Sequence, residues 1–183
     1  MTETAPRLLG IAGWSGSGKT TLLRALIPVL RARGLRVATI KHAHHNFDVD
    51  QPGKDSYEHR RAGAGEVLVS SARRWALMHE HAPEDREPTL WDLLAKLAPC
   101  DLVLVEGFKR EAHPKLEVHR PALGKPLLAG EVPNVVAIAS DTPLPGAPAP
   151  VVDLNALDAV AETVLARAAL DSLTVPGTVD GPA

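Results

Sequence analysis

A glycine-rich run near the beginning of the chain has the residue types and the spacing that bind nucleotide phosphates. Residues 13–20 read Gly-Trp-Ser-Gly-Ser-Gly-Lys-Thr and match the pattern G-x-x-x-x-G-K-[ST] in full. Glycines let backbone N–H groups turn towards a phosphate. Lys19 is expected to reach the terminal phosphates, and the Thr20 hydroxyl is expected to bind Mg²⁺. The pattern predicts a nucleoside triphosphate site, and it leaves the base and the reaction open. The expected nucleotide contacts in the run are Gly13, Ser15, Gly16, Ser17, Gly18, Lys19, Thr20 and Thr21.

Carboxylates that follow apolar runs are the candidates for the Mg²⁺ shell. Glu106 directly follows the apolar residues 102–105, and Gly107 comes next. We expect Glu106 to face Mg²⁺ directly or through water, and Gly107 to bring a backbone N–H close to the γ-phosphate. Asp48 and Asp50 come after the strand predicted at 37–40, and they are candidates for the same Mg²⁺ shell. The predicted metal ligands are therefore Thr20, Asp48, Asp50 and Glu106.

The segment from His42 to Asp50 is unusually rich in imidazole and carboxylate groups, with three histidines and two aspartates. Such groups can bind a transition metal, and they are equally compatible with a polar loop beside the nucleotide. His44 and His45 are adjacent and would point apart in a regular strand, which disfavours a shared ion.

The elements that must position these residues alternate between strands and helices. Apolar runs predict strands at 8–12, 37–40, 66–70, 75–79, 102–105, 116–118 and 135–139. Apolar residues at helical spacing, together with capping residues, predict helices at 20–33, 56–62, 90–97 and 155–170. This order predicts an α/β fold of the P-loop NTPase type, with a mostly parallel sheet, helices on both faces and one antiparallel strand pair. We expect a flexible N-terminus at 1–6, one nucleotide-binding domain at 7–171 and a disordered tail at 172–183.

Composition narrows the possible partners and compartment. The 183 residues are 45% hydrophobic with a formal charge of -2, which is typical of a globular protein without a general affinity for nucleic acid. The single cysteine, Cys100, permits no internal disulfide and fits a reducing compartment. Residues 1–6 lack a signal-peptide pattern, and no apolar run approaches the ~20 residues of a membrane span. We expect a cytoplasmic protein that binds neither nucleic acid nor membrane.

Several segments together resemble one known family. Residues 40–56 read Ile-Lys-His-Ala-His-His-Asn-Phe-Asp-Val-Asp-Gln-Pro-Gly-Lys-Asp-Ser, and residues 105–109 read Val-Glu-Gly-Phe-Lys. With the glycine-rich run, Ala-Gly-Ala at 62–64 and Pro-Lys-Leu-Glu-Val at 114–118, they resemble the molybdopterin-guanine dinucleotide biosynthesis adaptor family, MobB. The resemblance extends from about Leu8 to about Leu170.

The resemblance implies a GTP-binding homodimer with at most weak GTPase activity. It further implies a partner, the MobA-like guanylyltransferase that attaches GMP to molybdopterin to give the dinucleotide form of the molybdenum cofactor. Lys19 and Thr20 carry over as contacts to phosphate and Mg²⁺, and Glu106 with Gly107 as the second nucleotide-binding motif. Asp48 and Asp50 carry over as candidate residues for Mg²⁺ or the pterin.

Recognition of guanine and two other functions stay open. The chain lacks the Asn-Lys-x-Asp pattern that usually reads guanine, and Asp141, after a predicted strand, is the nearest carboxylate for guanine N1 and N2. A P-loop small-molecule kinase would use Asp48 or Asp50 as its base. A metal-delivery GTPase would use His42–His45, although the only thiol, Cys100, is distant in sequence. A scaffold shaped by its nucleotide is close to the adaptor hypothesis.

Overall fold

The structure is a computed structural model that describes residues 6–43 and 47–168. The chain divides into two compact units. The first is formed by the residues up to His42 and from Leu90 onward, and the second is Ala43–Thr89. Within the described residues, none of the helices combines the length and the apolar character that crossing a membrane requires.

Within residues 6–43 and 47–168, eight strands and four helices follow one another. The strands are β1 (Arg7–Ala12), β2 (Val37–Lys41), β3 (Glu66–Ser70), β4 (Trp75–His79), β5 (Leu102–Glu106), β6 (Lys115–His119), β7 (Val135–Ser140) and β8 (Val151–Asp153). The helices are α1 (Lys19–Ala32), α2 (Asp55–Arg61), α3 (Leu90–Leu94) and α4 (Leu157–Arg167). A 3₁₀ turn covers Pro121–Leu123.

The first unit is built on a parallel sheet of six strands in the order β2-β5-β1-β6-β7-β8. Alternate side chains of each strand point to opposite faces. Leu9 and Ile11 of β1 pack in the core with α1 and α4, whereas Leu8 packs on the other face with Leu90 of α3. Helices therefore cover both faces of a parallel sheet, and the carboxyl ends of its strands form one edge where ligands bind in such folds.

Strand β6 carries buried polar side chains on one face. Glu117 is fully buried, and its carboxylate oxygens accept backbone N–H groups from Leu128 and Ala129 at 2.8 Å each. Lys115 is buried too, and its ammonium donates to the carbonyls of Glu111, His113 and Pro133. These bonds fasten the segments on either side of β6, because a buried charge is tolerated only with such partners.

His113, just before β6, is fully buried, and within the described residues neither of its ring nitrogens has a hydrogen-bond partner. Its ring lies against β1, where a Cβ on Gly10 would approach Nε2 to 2.5 Å. Burial, with a smaller contribution from the Lys115 charge, lowers the pKa of His113 to about 4. The imidazole is therefore neutral at physiological pH.

The second unit contains α2 and an antiparallel pair of strands, β3 and β4, in which Leu68 lies opposite Leu77 and Ser70 opposite Trp75. One face of this hairpin holds Val67, which is buried. The opposite face holds Leu68, Trp75 and Leu77, which are 61%, 66% and 47% exposed. The hairpin thus presents an apolar face, named here the Leu68–Trp75–Leu77 face.

The predicted fold class and the antiparallel pair are confirmed. The sequence missed β8, and it predicted the third helix to extend to Leu97, which is wrong. Lys96 and Leu97 donate to the carbonyls of Leu93 and Leu94, three residues back, so the helix tightens into a turn before Pro99. The predicted end of the last helix at Leu170 and the expected tail lie outside the described residues.

Candidate phosphate-binding site

The glycine-rich run forms the connection between β1 and α1, at the carboxyl edge of the sheet. Gly13, Gly16 and Gly18 have φ angles of 148°, 80° and 97°, which other residue types rarely adopt. A Cβ on Gly13 would lie 2.6 Å from both Ser17 Oγ and the carbonyl of Val118. Glycine is therefore required for the tight turn. Ser15 and Gly16 are exposed, as are Thr20 and Thr21 in the first turn of α1.

Lys19 folds back over the loop. Its ammonium donates to the carbonyls of Gly13 and Trp14 at 3.0 Å each. Burial lowers its pKa, the Glu106 carboxylate opposes that shift, and the Lys109 and Lys41 charges add to it. Lysine bonds that close the loop in this way can be exchanged for bonds to phosphate oxygens, because an ammonium is a mobile point charge with three donors. The hydroxyl of Ser17 is buried and has no partner among the described groups, so the loop also holds an unused donor.

Glu106 and Gly107 end β5, which lies beside β1 in the sheet, with Ile11 opposite Glu106. On its other side Glu106 is opposite Lys41 of β2. Gly107 has a φ of 103°, and a Cβ there would lie 2.5 Å from the Cβ of His42. The chain after β5 therefore passes close to the end of β2, and Glu106 belongs to the charged group around Lys19.

Arg120 is a residue of this site that the sequence analysis did not identify. Its Nε donates to the Ser17 carbonyl in the glycine-rich loop at 3.1 Å, and its NH1 donates to Asp141 Oδ2 at 2.6 Å. Arg120 therefore links the loop to Asp141, which follows β7 two strands away from β1. The position of Arg120 directly after a strand would have been the only signal in the sequence.

Trp14, the first variable residue of the loop, is half-buried and its indole donates to the Pro126 carbonyl at 2.8 Å. The ammonium groups of Lys109 and Lys125 each lie 5.7 Å from the centre of its rings. Cations at this distance from an indole face are attracted by the ring quadrupole. With Lys19 and Arg120, they place four cationic side chains around the loop, against the carboxylates of Glu106 and Asp141, and this excess of cations favours an anionic ligand.

Asp48 and Asp50 lie in the second unit, where arginine and serine bind them. Asp48 accepts two bonds from Arg60 NH2, at 2.9 and 2.8 Å, and its pKa is lowered by the Asp50 N–H and by Arg60. Asp50 Oδ1 accepts the Ser56 hydroxyl at 2.9 Å, and its Oδ2 lies 3.7 Å from Arg60 Nε. Their predicted roles as Mg²⁺ ligands, or as a base in a kinase, stay predictions.

Of the histidine segment, the structure describes His42 but not His44 or His45. The His42 backbone donates to the Glu106 carbonyl at 2.8 Å, and its ring lies 4.8 Å from that of Phe108. This packing gives His42 a place beside the end of β5. The predicted metal cluster at His42–His45 includes residues outside the described part of the chain.

Comparison with known proteins gives a consistent result. A family model described as "Molybdopterin guanine dinucleotide synthesis protein B", MobB, matches residues 8–141. The molybdopterin-guanine dinucleotide biosynthesis adapter protein of Escherichia coli is 47% identical over 166 residues, covering 89% of this chain and 94% of the relative. The Haemophilus influenzae protein of the same name is 49% identical over 141 residues, covering 75% and 76%. A crystal structure of molybdopterin-guanine biosynthesis protein B superposes with a TM-score of 0.68 at 28% identity, covering 87% of this chain and 97% of the other.

Proposed function

The chain belongs to the MobB family and is an adapter in the biosynthesis of molybdopterin guanine dinucleotide, and we propose that it performs this role as a GTP-binding protein that requires Mg²⁺. The observation that carries the proposal is the loop at residues 13–20, with Lys19, Glu106 and Arg120 gathered around it at one edge of the parallel sheet. Two features suit this loop to a triphosphate. Glycine at position 13 permits the tight turn that leads into the N-terminus of α1, and the nearby cations favour an anion.

Each residue of the loop has a distinct task in this proposal. The backbone N–H groups of Ser15–Thr21 bind the phosphates, supported by the positive end of the α1 dipole. Lys19 exchanges its two carbonyl bonds for phosphate oxygens, and the exposed Thr20 hydroxyl binds Mg²⁺ with Glu106. Mg²⁺, when bound, neutralises phosphate charge. Any hydrolysis is expected to be weak, as the resemblance to the family implies.

Asp141 is proposed as the residue that recognises guanine. It follows β7 at the carboxyl edge, and Arg120 connects it directly to the phosphate loop. A carboxylate accepts hydrogen bonds from guanine N1 and N2, whereas adenine offers an acceptor at its own N1. Because a site that pairs with polar groups of the ligand discriminates strongly against ligands that lack them, we expect Asp141 to favour GTP over ATP.

Calorimetric titration with GTP and with ATP, each with Mg²⁺, tests the nucleotide proposal. Lys19→Ala should weaken GTP binding roughly 10- to 150-fold, the equivalent of one charge-assisted hydrogen bond. Lys96→Ala, at an exposed lysine beyond α3, is the matched control and should bind like the wild type. Equal binding of GTP by the Lys19→Ala variant, or tighter binding of ATP than GTP by the wild type, would contradict the proposal.

Asp141→Asn separates base recognition from phosphate binding. The variant should keep its affinity for ATP while its preference for GTP declines, because the amide offers a donor where guanine needs an acceptor. An unchanged ratio of GTP to ATP affinity would remove Asp141 from the site and leave the phosphate loop assignment intact.

We further propose that two copies of the chain pair through the Leu68–Trp75–Leu77 face. Three large apolar side chains, each about half exposed or more, lie together on one face of a two-stranded sheet. Such hairpins are marginally stable without further packing, so a second copy with the same face offers a self-complementary cover. Beyond this homodimer, the proposed partners are a MobA-like guanylyltransferase and the molybdopterin that it modifies. The proposed compartment is the reducing cytoplasm, where a single free cysteine stays reduced.

Sedimentation of the wild type and of Leu77→Lys tests the pairing. The wild type should sediment as a dimer and Leu77→Lys as a monomer, because pairing would bury the unpaired charge of the lysine in the interface. Val151→Lys, at another exposed apolar residue, in β8, should remain a dimer. A monomeric wild type, or a dimeric Leu77→Lys variant, would overturn the pairing.

Reconstitution with the guanylyltransferase tests the adapter role itself. Adding the wild-type chain should increase the yield of guanine dinucleotide cofactor from GTP and molybdopterin, and Lys19→Ala should increase it less. If both proteins stimulate equally, the bound nucleotide of this chain is not needed for its adapter role.

A further inference from the structure

We propose that His79, His81 and Asp85 form a binding site for one divalent transition-metal ion, Zn²⁺ being the ion of choice. The three residues lie at the end of β4 and in the turn that follows, in the second unit. One ligand atom from each lies within 4.8 Å of the other two. The proposal involves neither the phosphate loop nor the histidine segment His42–His45.

The backbone places the two histidines on one side of the strand. The N–H of Glu80 donates to the Gly65 carbonyl at 2.9 Å, so extended pairing continues one residue past β4. Side chains alternate in an extended chain, and Glu80 turns the other way, where it binds Arg60 at 2.9 Å. His79 and His81 therefore share a face, and their ring centres are 5.1 Å apart with the rings edge to face.

A tight turn brings the carboxylate to the histidines. Asp85 donates its backbone N–H to the Ala82 carbonyl at 3.0 Å, and its Oδ2 accepts the Ala82 N–H at 2.8 Å. These two bonds fold residues 82–85 back on themselves and fix the orientation of the Asp85 side chain. Since Oδ2 is the oxygen that holds the turn, Oδ1 is the one assigned to the metal.

Glu66 supports the first histidine in a way that suits a metal ligand. Its Oε1 lies 2.8 Å from Nδ1 of His79, across the hairpin. A histidine that donates one ring N–H to a carboxylate presents its other nitrogen, unprotonated, to a metal. This pair therefore fixes the tautomer in which Nε2 of His79 binds the ion. Glu66 is a positioning residue and not itself a ligand.

Two imidazoles and one carboxylate select the kind of ion. This set suits Zn²⁺ and its neighbours in the first transition row, whereas Mg²⁺ prefers six oxygen ligands. In a tetrahedral zinc site with bonds of about 2.0 Å, ligand atoms are about 3.3 Å apart, so the cluster must contract. All three side chains are exposed and can rotate towards the ion without displacing the core. Water would complete the coordination.

The site lies on the same hairpin face as Leu68, Trp75 and Leu77, because His79 follows Leu77 by two residues. A bound ion would tie the end of β4 to the following turn and so stiffen the border of the Leu68–Trp75–Leu77 face. A bound ion would stabilise the fold by mass action, since only the folded hairpin brings the three ligands together.

Calorimetry with Zn²⁺ on the untagged, EDTA-treated full chain tests the proposal, and the visible absorption of Co²⁺ reports the ligands. We expect one tight equivalent per chain, Co²⁺ bands that Zn²⁺ abolishes, and no competition from millimolar Mg²⁺. His81→Ala and Asp85→Asn should each weaken Zn²⁺ binding at least 10-fold, and Glu66→Gln by a smaller factor. Asp85→Asn retains an oxygen for the Ala82 N–H, so the turn should persist and its loss of affinity reports the metal.

Controls distinguish this site from other histidines. His59→Ala, at an exposed histidine of α2, should bind Zn²⁺ as tightly as the wild type. A variant with His42, His44 and His45 all replaced by alanine should do so too. Binding that survives His81→Ala and disappears in that triple variant would overturn the proposal, as would the absence of Zn²⁺ binding by the wild type.

Discussion

Lowering the pH should destabilise this protein through one buried histidine. His113 has a pKa of about 4 in the folded chain, against an ordinary value of 6.5. The unfolded chain therefore binds a proton between pH 6.5 and pH 4 that the folded chain does not. Stability rises with pH wherever the unfolded state binds more protons, so this contribution is present in full above pH 6.5 and lost as the pH falls towards 4.

The size of the effect follows from the two pKa values. At 1.36 kcal/mol for each unit of pKa, protonating the unfolded histidine lowers the free energy of unfolding by about 3 kcal/mol at pH 4 relative to pH 7. That is a large fraction of the 5–15 kcal/mol typical of a domain. The cause is structural, because the ring is fully buried against Gly10 and has the Lys115 charge beside it.

Urea denaturation of the wild type and of His113→Leu, from pH 4 to pH 7.5, measures this contribution. Leucine is close in volume and does not titrate, so at pH 7 the variant should differ from the wild type by less than about 1.5 kcal/mol. The carboxylates titrate in both proteins, so the difference between the two curves isolates His113. If the free energies of unfolding of the two proteins differ by the same amount at every pH from 7 to 4, the reasoning is refuted.

Three further substitutions probe how the strand ends are fixed. Gly107→Ala places a Cβ 2.5 Å from that of His42 at a φ of 103°, and should lower the free energy of unfolding by at least about 2 kcal/mol. Urea denaturation measures this loss, and an unchanged midpoint of the urea transition would contradict the close approach. Glu117→Gln offers one oxygen where two N–H groups are buried, and should lower it by roughly 2 kcal/mol and speed hydrogen exchange in residues 128–129; unchanged exchange would argue against the anchor. Arg120→Ala and Asp141→Ala should show a coupling of about 0.5–2 kcal/mol in a double-mutant cycle of unfolding, and additive losses would mean that the 2.6 Å contact contributes nothing.

Much of the fold could be predicted because its signals are local. The strand before the glycine-rich run and the helix after it are read from a few neighbouring residues, and the structure has them within one residue of the prediction. Strand β8 escaped because three residues, Val151–Asp153, are too few to show a period, and Pro150 precedes them. It becomes a strand only because β7 offers a free edge, which is a tertiary fact.

The residues of the site likewise divide into those that a local sequence pattern predicts and those that depend on the order of the strands. The phosphate loop is contiguous, so its pattern alone predicts its place, and Glu106 follows from the rule that ligands gather at strand ends. Arg120 contacts the loop across 103 residues of sequence. Its contact depends on β6 lying beside β1, and no pattern in the sequence states that neighbour relation. The adjacency of β6 and β7 in turn brings Asp141 within reach of Arg120.

A run of histidines in the sequence does not by itself indicate whether their rings can bind one ion. The sequence draws attention to three histidines within four residues at 42–45, where adjacent side chains in an extended chain would point apart. His79 and His81 attract less attention, yet their spacing of two puts both rings on one face of β4 and its extension. A turn then supplies Asp85, and a cross-strand carboxylate orients His79. A metal needs ligand atoms that can approach one point, and here the strand register and the turn bring one ligand atom from each of the three residues within 4.8 Å of the other two. Zn²⁺ titration of the triple variant at 42–45 and of His81→Ala therefore decides which of the two groups of histidines binds the ion.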